Sequence, residues 1–109
     1  MDSWLASRND KGKKEVAEIN NQRVKLTIVG DVQGVFFRHF AKQEADRLEL
    51  SGWCRNEADG SVYIVLEGEE KNVEHFIRWA KKGSELATVE DVTVTQEKYT
   101  GLEQGFEIR

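Results

Sequence analysis

The sequence predicts an α+β fold in which an antiparallel sheet carries two helices on one face. Segments that alternate between apolar and polar residues indicate strands, and two segments with apolar residues at helical spacing indicate amphipathic helices. Their order is strand, helix, strand, strand, helix, strand, with a short strand at the end. Two strand–helix–strand units in this order are typical of a split βαβ arrangement.

The first strand and helix follow a segment without sustained periodicity. Residues 1–22 mix charged residues with asparagines, so we expect a flexible N-terminal tail and place the folded domain at residues 23–109. Residues 24–29 alternate in polarity and predict a strand. After a turn at residues 30–34, a helix is indicated by apolar residues that share one face, namely Phe37, Ala41, Ala45 and Leu48.

The second half of the chain begins with a hairpin, which the pair Asp59-Gly60 favours. Alternating polarity predicts strands at residues 51–56, 61–67, 89–95 and 106–108. A second helix, ended by Gly83, is marked by the apolar residues Val73, Phe76, Ile77 and Ala80. The complete order predicts a ferredoxin-like βαββαβ sandwich, a fold that hosts many functions.

The composition favours a single soluble domain. The chain has 109 residues, with 16 basic and 20 acidic side chains and a net charge of −4. Such a balance lacks the basic face with which nucleic-acid-binding proteins displace counterions. A single cysteine cannot form an internal disulfide, and neither a signal peptide nor a membrane-spanning segment is recognisable. We therefore expect a cytoplasmic monomer with no membrane or nucleic-acid partner.

Several common catalytic machineries have no counterpart in the sequence. The glycine-rich motifs of nucleotide sites and the Gly-x-Ser-x-Gly motif of serine hydrolases are missing. Where a cysteine-phosphatase loop would need arginine after Cys54, Gly60 stands instead, and we expect Cys54 to be a small core residue. His39 and His75 lack metal-site spacing, and we expect both to be solvated. We therefore expect neither a metal nor a cofactor.

The junction between the first strand and the first helix has the features of an anion site. Gly30 and Gly34 allow backbone conformations closed to other residues, so that successive N–H groups can point inward. The helix adds unpaired N–H groups and the positive end of its dipole. The dipole disfavours Arg38 in the first turn by roughly a few tenths of a kcal/mol, a cost that a bound anion would offset. Alternatively, Arg38 is a solvated surface residue and residues 30–34 form an ordinary turn.

A second candidate residue lies at the end of the strand predicted at residues 51–56. The side-chain amide of Asn56 can donate and accept hydrogen bonds at once, as the positioning of a water molecule requires. Alternatively, Asn56 only begins the hairpin turn, where asparagine is common. We expect Trp53 and the pair Phe36 and Phe37 to form core or pocket wall.

Together, the two segments closely resemble the motifs of the acylphosphatase family. The first matches Gly-x-Val-Gln-Gly-Val-x-Phe-Arg at every fixed position, with Gly30, Val32, Gln33, Gly34, Val35, Phe37 and Arg38. The second matches Gly-aromatic-x-basic-Asn-x-x-x-Gly-x-Val, with Gly52, Trp53, Arg55, Asn56, Gly60 and Val62. The similarity extends over residues 23–109 and includes Tyr99-Thr100-Gly101.

The resemblance implies a ferredoxin-like hydrolase that cleaves the carboxyl-phosphate bond of small-molecule acyl phosphates to a carboxylate and inorganic phosphate. It implies no metal or other cofactor. The guanidinium of Arg38 would hold the phosphate, and Asn56 would position the attacking water. The backbone that would cradle the phosphate comprises Val32, Gln33, Gly34, Val35, Phe36, Phe37 and Arg38.

Two departures from the family pattern and two rival functions remain. Asp31 occupies a variable position that is often basic, so we expect its charge to weaken phosphate capture, and Ser84 stands where proline is common. RNA recognition motifs share this fold, but their central strands carry several aromatic residues and residues 61–67 offer only Tyr63. A non-catalytic anion-binding module would keep the fold without turnover, against which the presence of both Arg38 and Asn56 argues.

Overall fold

The computed structural model describes residues 20–109, and the element order agrees with the prediction. The elements are β1 (Asn21–Asp31), α1 (Phe37–Arg47), β2 (Ser51–Asn56), β3 (Val62–Glu69), α2 (Glu70–Lys82), β4 (Thr88–Glu97) and β5 (Phe106–Ile108). The strands form one sheet in the order β4-β1-β3-β2-β5. The predicted ferredoxin-like α+β fold is confirmed.

The sheet is antiparallel, as predicted, except at one edge. Strand β5 pairs parallel with β2, so that Ile108 lies opposite Cys54. The reason is topological. The last residue of β4, Glu97, and the first residue of β2, Ser51, lie at the same end of the sheet, because both are in register with the pair Arg23 and Glu67. After β4 the chain crosses at this end of the sheet to the opposite edge. It therefore enters β5 in the direction of β2.

Both helices pack against the same face of the sheet, and the core lies between them and the strands. The strand residues buried on this face are Val24, Leu26, Ile28, Cys54, Val62, Ile64 and Leu66. The helices bury Phe37, Ala41, Ala45, Val73, Phe76 and Ala80. Burial of each large apolar side chain stabilises the fold by roughly 1.5–3 kcal/mol. The apolar faces predicted for β1, β3 and both helices are therefore confirmed. In the part of the chain that the structure describes, no helix has the length and apolar character to cross a bilayer.

Strand β1 begins earlier than the predicted domain boundary at residue 23. Asn21 already pairs with Glu69, and the Asn20 carbonyl accepts a hydrogen bond of 2.9 Å from the Glu70 N–H. The Asn20 side chain also donates to Glu70 Oε1 at 2.7 Å. Strand pairing uses backbone groups and so needs no apolar side chains, which explains why alternation did not reveal these residues. Residues 1–19 of the expected tail lie outside the described residues.

A buried carboxylate fastens the connection between β4 and β5 to the open face of the sheet. Glu67 is only 3% exposed, and it accepts hydrogen bonds from the Thr100 N–H (2.9 Å), the Thr100 hydroxyl (2.7 Å) and the Gly101 N–H (3.0 Å). The guanidinium of Arg23 lies 2.9 Å from the same carboxylate. Burial by itself would raise the pKa of Glu67, but the hydrogen bonds from Thr100 and Arg23 hold it below its ordinary value.

This arrangement predicts an acid-sensitive contribution to stability. Because the pKa of Glu67 is lower in the folded chain, its carboxylate stabilises the fold fully above the unfolded pKa of about 4.3. This stabilisation is lost as the pH falls through the folded pKa. We expect Glu67→Gln to lower the free energy of unfolding by roughly 2 kcal/mol at neutral pH, because Gln cannot accept all these hydrogen bonds. Denaturant unfolding measures the difference in the free energy of unfolding between wild type and variant, which should shrink as the pH is lowered from about 7 to about 3. A difference of equal size at neutral pH and at about pH 3 would contradict the role of the Glu67 charge.

Candidate active site

A cavity of about 280 Å³ opens where the β1–α1 turn meets the ends of β2 and β5. Its walls are formed by Val32, Gly34, Phe36, Phe37, Arg38, His39, Asn56 and Ile108. The fold thus brings Arg38 and Asn56, the two predicted catalytic residues, into one cavity from different elements. Asp31 is exposed at the end of β1 and is not part of these walls.

The shape of the turn depends on its two glycines, as the sequence predicted. Gly30 has a φ of 143°, and a Cβ there would lie 2.2 Å from the Thr88 carbonyl oxygen on β4. The pairing register of β1 and β4 shifts at this point, between Val29 and Gly30. Gly34 has a φ of 76°, a left-handed conformation that favours glycine. Any side chain at position 30 would therefore push β4 away from the start of the turn.

The N-terminus of α1 faces the cavity without a compensating group of its own. The first backbone hydrogen bond of the helix runs from the Phe40 N–H to the Phe36 carbonyl at 3.1 Å. The N–H groups of Phe37, Arg38 and His39 precede this bond, and an α-helix provides no acceptor for them. No side chain of residues 20–109 caps the helix, and no acidic residue lies in its first turn. Its positive end is therefore available to an anion.

Arg38 contributes a positive charge to the same cavity. Its half-buried side chain donates one hydrogen bond, from Nη1 to the main-chain oxygen of Arg109 at 3.1 Å. Within residues 20–109 no carboxylate side chain lies within 4.0 Å of this guanidinium. The contact with Arg109 orients the group, and its remaining N–H donors can bind an anion.

Asn56 presents its amide to the cavity from the last position of β2. Its side chain is exposed and makes no hydrogen bond to any other residue of the described chain. The turn that follows is fixed by Gln33, whose Nε2 donates to the carbonyls of Glu57 (2.8 Å) and Ser61 (2.9 Å). Gln33 therefore ties the turn before α1 to the hairpin that carries Asn56.

Two of the residues predicted to cradle phosphate do not line the cavity. The side chain of Gln33 is used in the contact with the hairpin, and Val35 packs against the core. Any contribution of their backbone N–H groups stays a prediction. Conversely, His39 and Ile108 line the cavity although the sequence analysis did not select them. Ile108 arrives through the parallel pairing of β5, for which the sequence carried no local signal.

Other residues singled out in the sequence lie away from the reacting centre. Cys54 is fully buried, and burial raises the pKa of its thiol to about 11 although the charges of Arg38 and Lys42 oppose this. It is the small core residue that was expected. Trp53 was expected in the core or pocket wall, which is wrong. Alternation with Cys54 places it on the open face of the sheet, where the Arg55 and Arg109 guanidinium carbons lie 5.2 and 4.6 Å from its ring centroid.

A larger cavity lies elsewhere and does not carry the motif residues. It measures about 600 Å³ and is bounded by α1 and the C-terminal end of α2, with Phe40 and Trp79 among its walls. None of the groups described above as suited to an anion reaches it. The chemistry of the lining, rather than cavity size, therefore identifies the smaller cavity as the candidate active site.

Known proteins of one family resemble this chain in sequence and in structure. A model of the acylphosphatase family matches residues 24–108. The chain is 46% identical over 88 residues to an acylphosphatase of Rubrobacter xylanophilus, which covers 81% of this chain and 80% of that protein. The crystal structure of acylphosphatase from Bacillus subtilis superposes with a TM-score of 0.78 at 36% identity, over 81% of this chain and 98% of that one. The structure of an acylphosphatase from Coxiella burnetii gives a TM-score of 0.79 at 29% identity, over 86% and 100% of the two chains.

Proposed function

The chain belongs to the acylphosphatase family, and we propose that it hydrolyses acyl phosphates without a metal, with Arg38 holding the phosphate and Asn56 positioning the attacking water. One observation carries this proposal. Among residues 20–109, a single cavity combines a guanidinium without a carboxylate side-chain partner, a helix N-terminus without a side-chain cap and an amide without a hydrogen-bond partner. We further propose that the protein is cytoplasmic and that it acts as a monomer, the latter because the cavity is complete within one chain.

The phosphate group fits the positive end of the cavity. Its oxygens can accept hydrogen bonds from the free N–H groups at the start of α1, where the helix dipole also favours negative charge. The planar guanidinium of Arg38 can donate to two phosphate oxygens at once. The contact with the Arg109 main-chain oxygen holds the guanidinium in place before substrate arrives, so that little reorganisation is needed on binding.

The water molecule fits the neutral end of the cavity. The Asn56 amide can accept a hydrogen bond from the water through its oxygen or donate one to the water through its nitrogen. Backbone pairing with Val62 fixes the main chain of Asn56 at the cavity, and in-line attack requires its amide to hold the water opposite the bond that breaks. Such positioning converts attack by bulk water into attack from a defined site.

The leaving group explains how so few polar groups could suffice. Water oxygen forms a bond to phosphorus, and the bond between phosphorus and the bridging oxygen breaks, with its electron pair leaving on the carboxylate. The conjugate acid of a carboxylate has a pKa of about 4, so the group departs as an anion at neutral pH without a proton donor. The proton of the water can pass to a phosphate oxygen, which gives inorganic phosphate. No covalent intermediate is needed.

The test is hydrolysis of benzoyl phosphate by the purified protein in the presence of a chelator. We expect full activity with chelator and incorporation of oxygen-18 from labelled water into phosphate rather than benzoate. Methyl phosphate is the matched control, because its alkoxide leaving group needs a proton and the roles proposed for Arg38 and Asn56 supply none. We expect its hydrolysis to be at least about a thousandfold slower. Loss of activity with chelator, label in benzoate or similar rates on both substrates would each contradict the mechanism.

A further inference from the structure

Phe36 occupies a position where phenylalanine does not serve the fold. Its backbone is left-handed, with φ 62° and ψ 22°, a conformation that is unfavourable for a bulky residue and suits glycine or asparagine. Its side chain is 69% exposed, so the ring gains little from burial. Strained residues that the fold does not reward are found preferentially at functional sites.

The ring of Phe36 forms part of the rim of the active-site cavity. Val32 and Phe37 are the buried wall residues. The exposed wall residues include Phe36 and Ile108, which are large and apolar, besides Gly34, His39 and Asn56. Ile108 is 41% exposed although it is apolar. The rim therefore presents two solvent-exposed apolar side chains next to a site suited to an anion.

An acyl phosphate has two ends, and the cavity has two corresponding regions. When the phosphate binds to Arg38 and the start of α1, the acyl group points toward the opening of the cavity. There it would lie against the exposed apolar wall residues, Phe36 and Ile108. A flat apolar acyl group would cover Phe36 and Ile108 from water, whereas a methyl group would cover little of them.

On the basis of the proposed function, we propose that Phe36, together with Ile108, is the acyl-group contact that makes this enzyme favour acyl phosphates with aromatic or similarly large apolar acyl groups. The contact is made equally in the ground state and the transition state, because the acyl group changes little as the bond to phosphorus breaks. It therefore acts on KM and leaves kcat nearly unchanged.

The experiment compares benzoyl phosphate with acetyl phosphate in wild type, Phe36→Asn, Phe36→Gly and Phe36→Tyr. Asn and Gly both accept the left-handed backbone and remove the ring, so the turn should be preserved. For both, we expect the ratio of kcat/KM for benzoyl phosphate to kcat/KM for acetyl phosphate to fall about tenfold, mainly through a rise in KM for benzoyl phosphate. A disturbance of the backbone around the phosphate would lower both values alike and leave this ratio unchanged. Phe36→Tyr retains the ring and should retain the wild-type ratio. Equal losses on both substrates, or none, would overturn the proposal.

A binding measurement makes this test independent of turnover. Two phosphonates with a methylene group in place of the bridging oxygen, one phenyl-substituted and one methyl-substituted, are titrated into the same proteins in a calorimeter. We expect wild type to bind the phenyl compound more tightly and Phe36→Asn to lose this preference. If wild type binds both equally, the acyl contact is refuted even where acyl phosphates are hydrolysed. If the phenyl preference is present and depends on Phe36 but no acyl phosphate is hydrolysed, the contact stands and the proposed function fails.

Discussion

Replacing Arg38 by Ala is expected to lower kcat/KM for an acyl phosphate by at least about a hundredfold. The guanidinium neutralises phosphate charge in the ground state and in the transition state, and removal of such a group typically costs roughly 3 kcal/mol or more. Both parameters should suffer, with KM rising and kcat falling. Steady-state kinetics with benzoyl phosphate measures the loss.

A matched control separates this effect from a general loss of charge or structure. Arg47 lies on the same helix, is exposed and pairs with Glu44 outside the cavity. We expect Arg47→Ala to keep kcat/KM within about twofold of wild type, since an exposed ion pair contributes little. Circular dichroism and denaturant unfolding establish that both variants are folded. If Arg38→Ala retained nearly full kcat/KM, Arg38 would not be the phosphate-holding group.

Replacing Asn56 by Ala is expected to reduce kcat by about a hundredfold while leaving KM nearly unchanged. The amide is neutral and, as the water-positioning group, contributes little until attack begins. Folding should hardly be affected, because the exposed side chain of Asn56 has no hydrogen-bond partner among the described residues. The measurement is single-turnover and steady-state kinetics, which separate the chemical step from substrate binding.

The control for Asn56 is Asn72→Ala, the same chemical change on α2 at a position outside the active-site cavity. It should leave kcat unchanged. A decrease in kcat of similar size in both variants would indicate a general effect on the fold. A rise in KM without a fall in kcat for Asn56→Ala would show that Asn56 shapes the phosphate site instead of holding water.

The sequence predicted those parts of the fold that depend on local side-chain patterns. Alternation and helical spacing identified the faces that carry Leu26, Ile64, Ala41 and Phe76, and all of these are buried. The start of β1 was missed because backbone pairing at Asn21 leaves no mark in side-chain polarity. The parallel direction of β5 was missed because it follows from a crossing between opposite sheet edges, which no local segment encodes.

The candidate site was predictable to the extent that its residues share one continuous segment. Arg38 and its turn could be read together, and the fold places Asn56 in the same cavity. The sequence did not predict that the Gln33 side chain fixes the hairpin between β2 and β3, because its hydrogen-bond partners there are backbone carbonyls. The strain at Phe36 is likewise a property of the folded backbone, since the sequence shows only an ordinary phenylalanine.

The central claim is that phosphate binds at the start of α1 with Arg38 as its charged partner, whereas Asn56 positions the water. It is tested by titrating the protein with inorganic phosphate and monitoring the backbone amide signals by NMR. In wild type and in Asn56→Ala, we expect the largest chemical-shift changes at residues 34–39 and similar dissociation constants for phosphate. In Arg38→Ala these changes should require at least about tenfold more phosphate. Chemical-shift changes centred on the cavity beside Trp79 would contradict this assignment. So would a loss of phosphate affinity in Asn56→Ala as severe as that in Arg38→Ala.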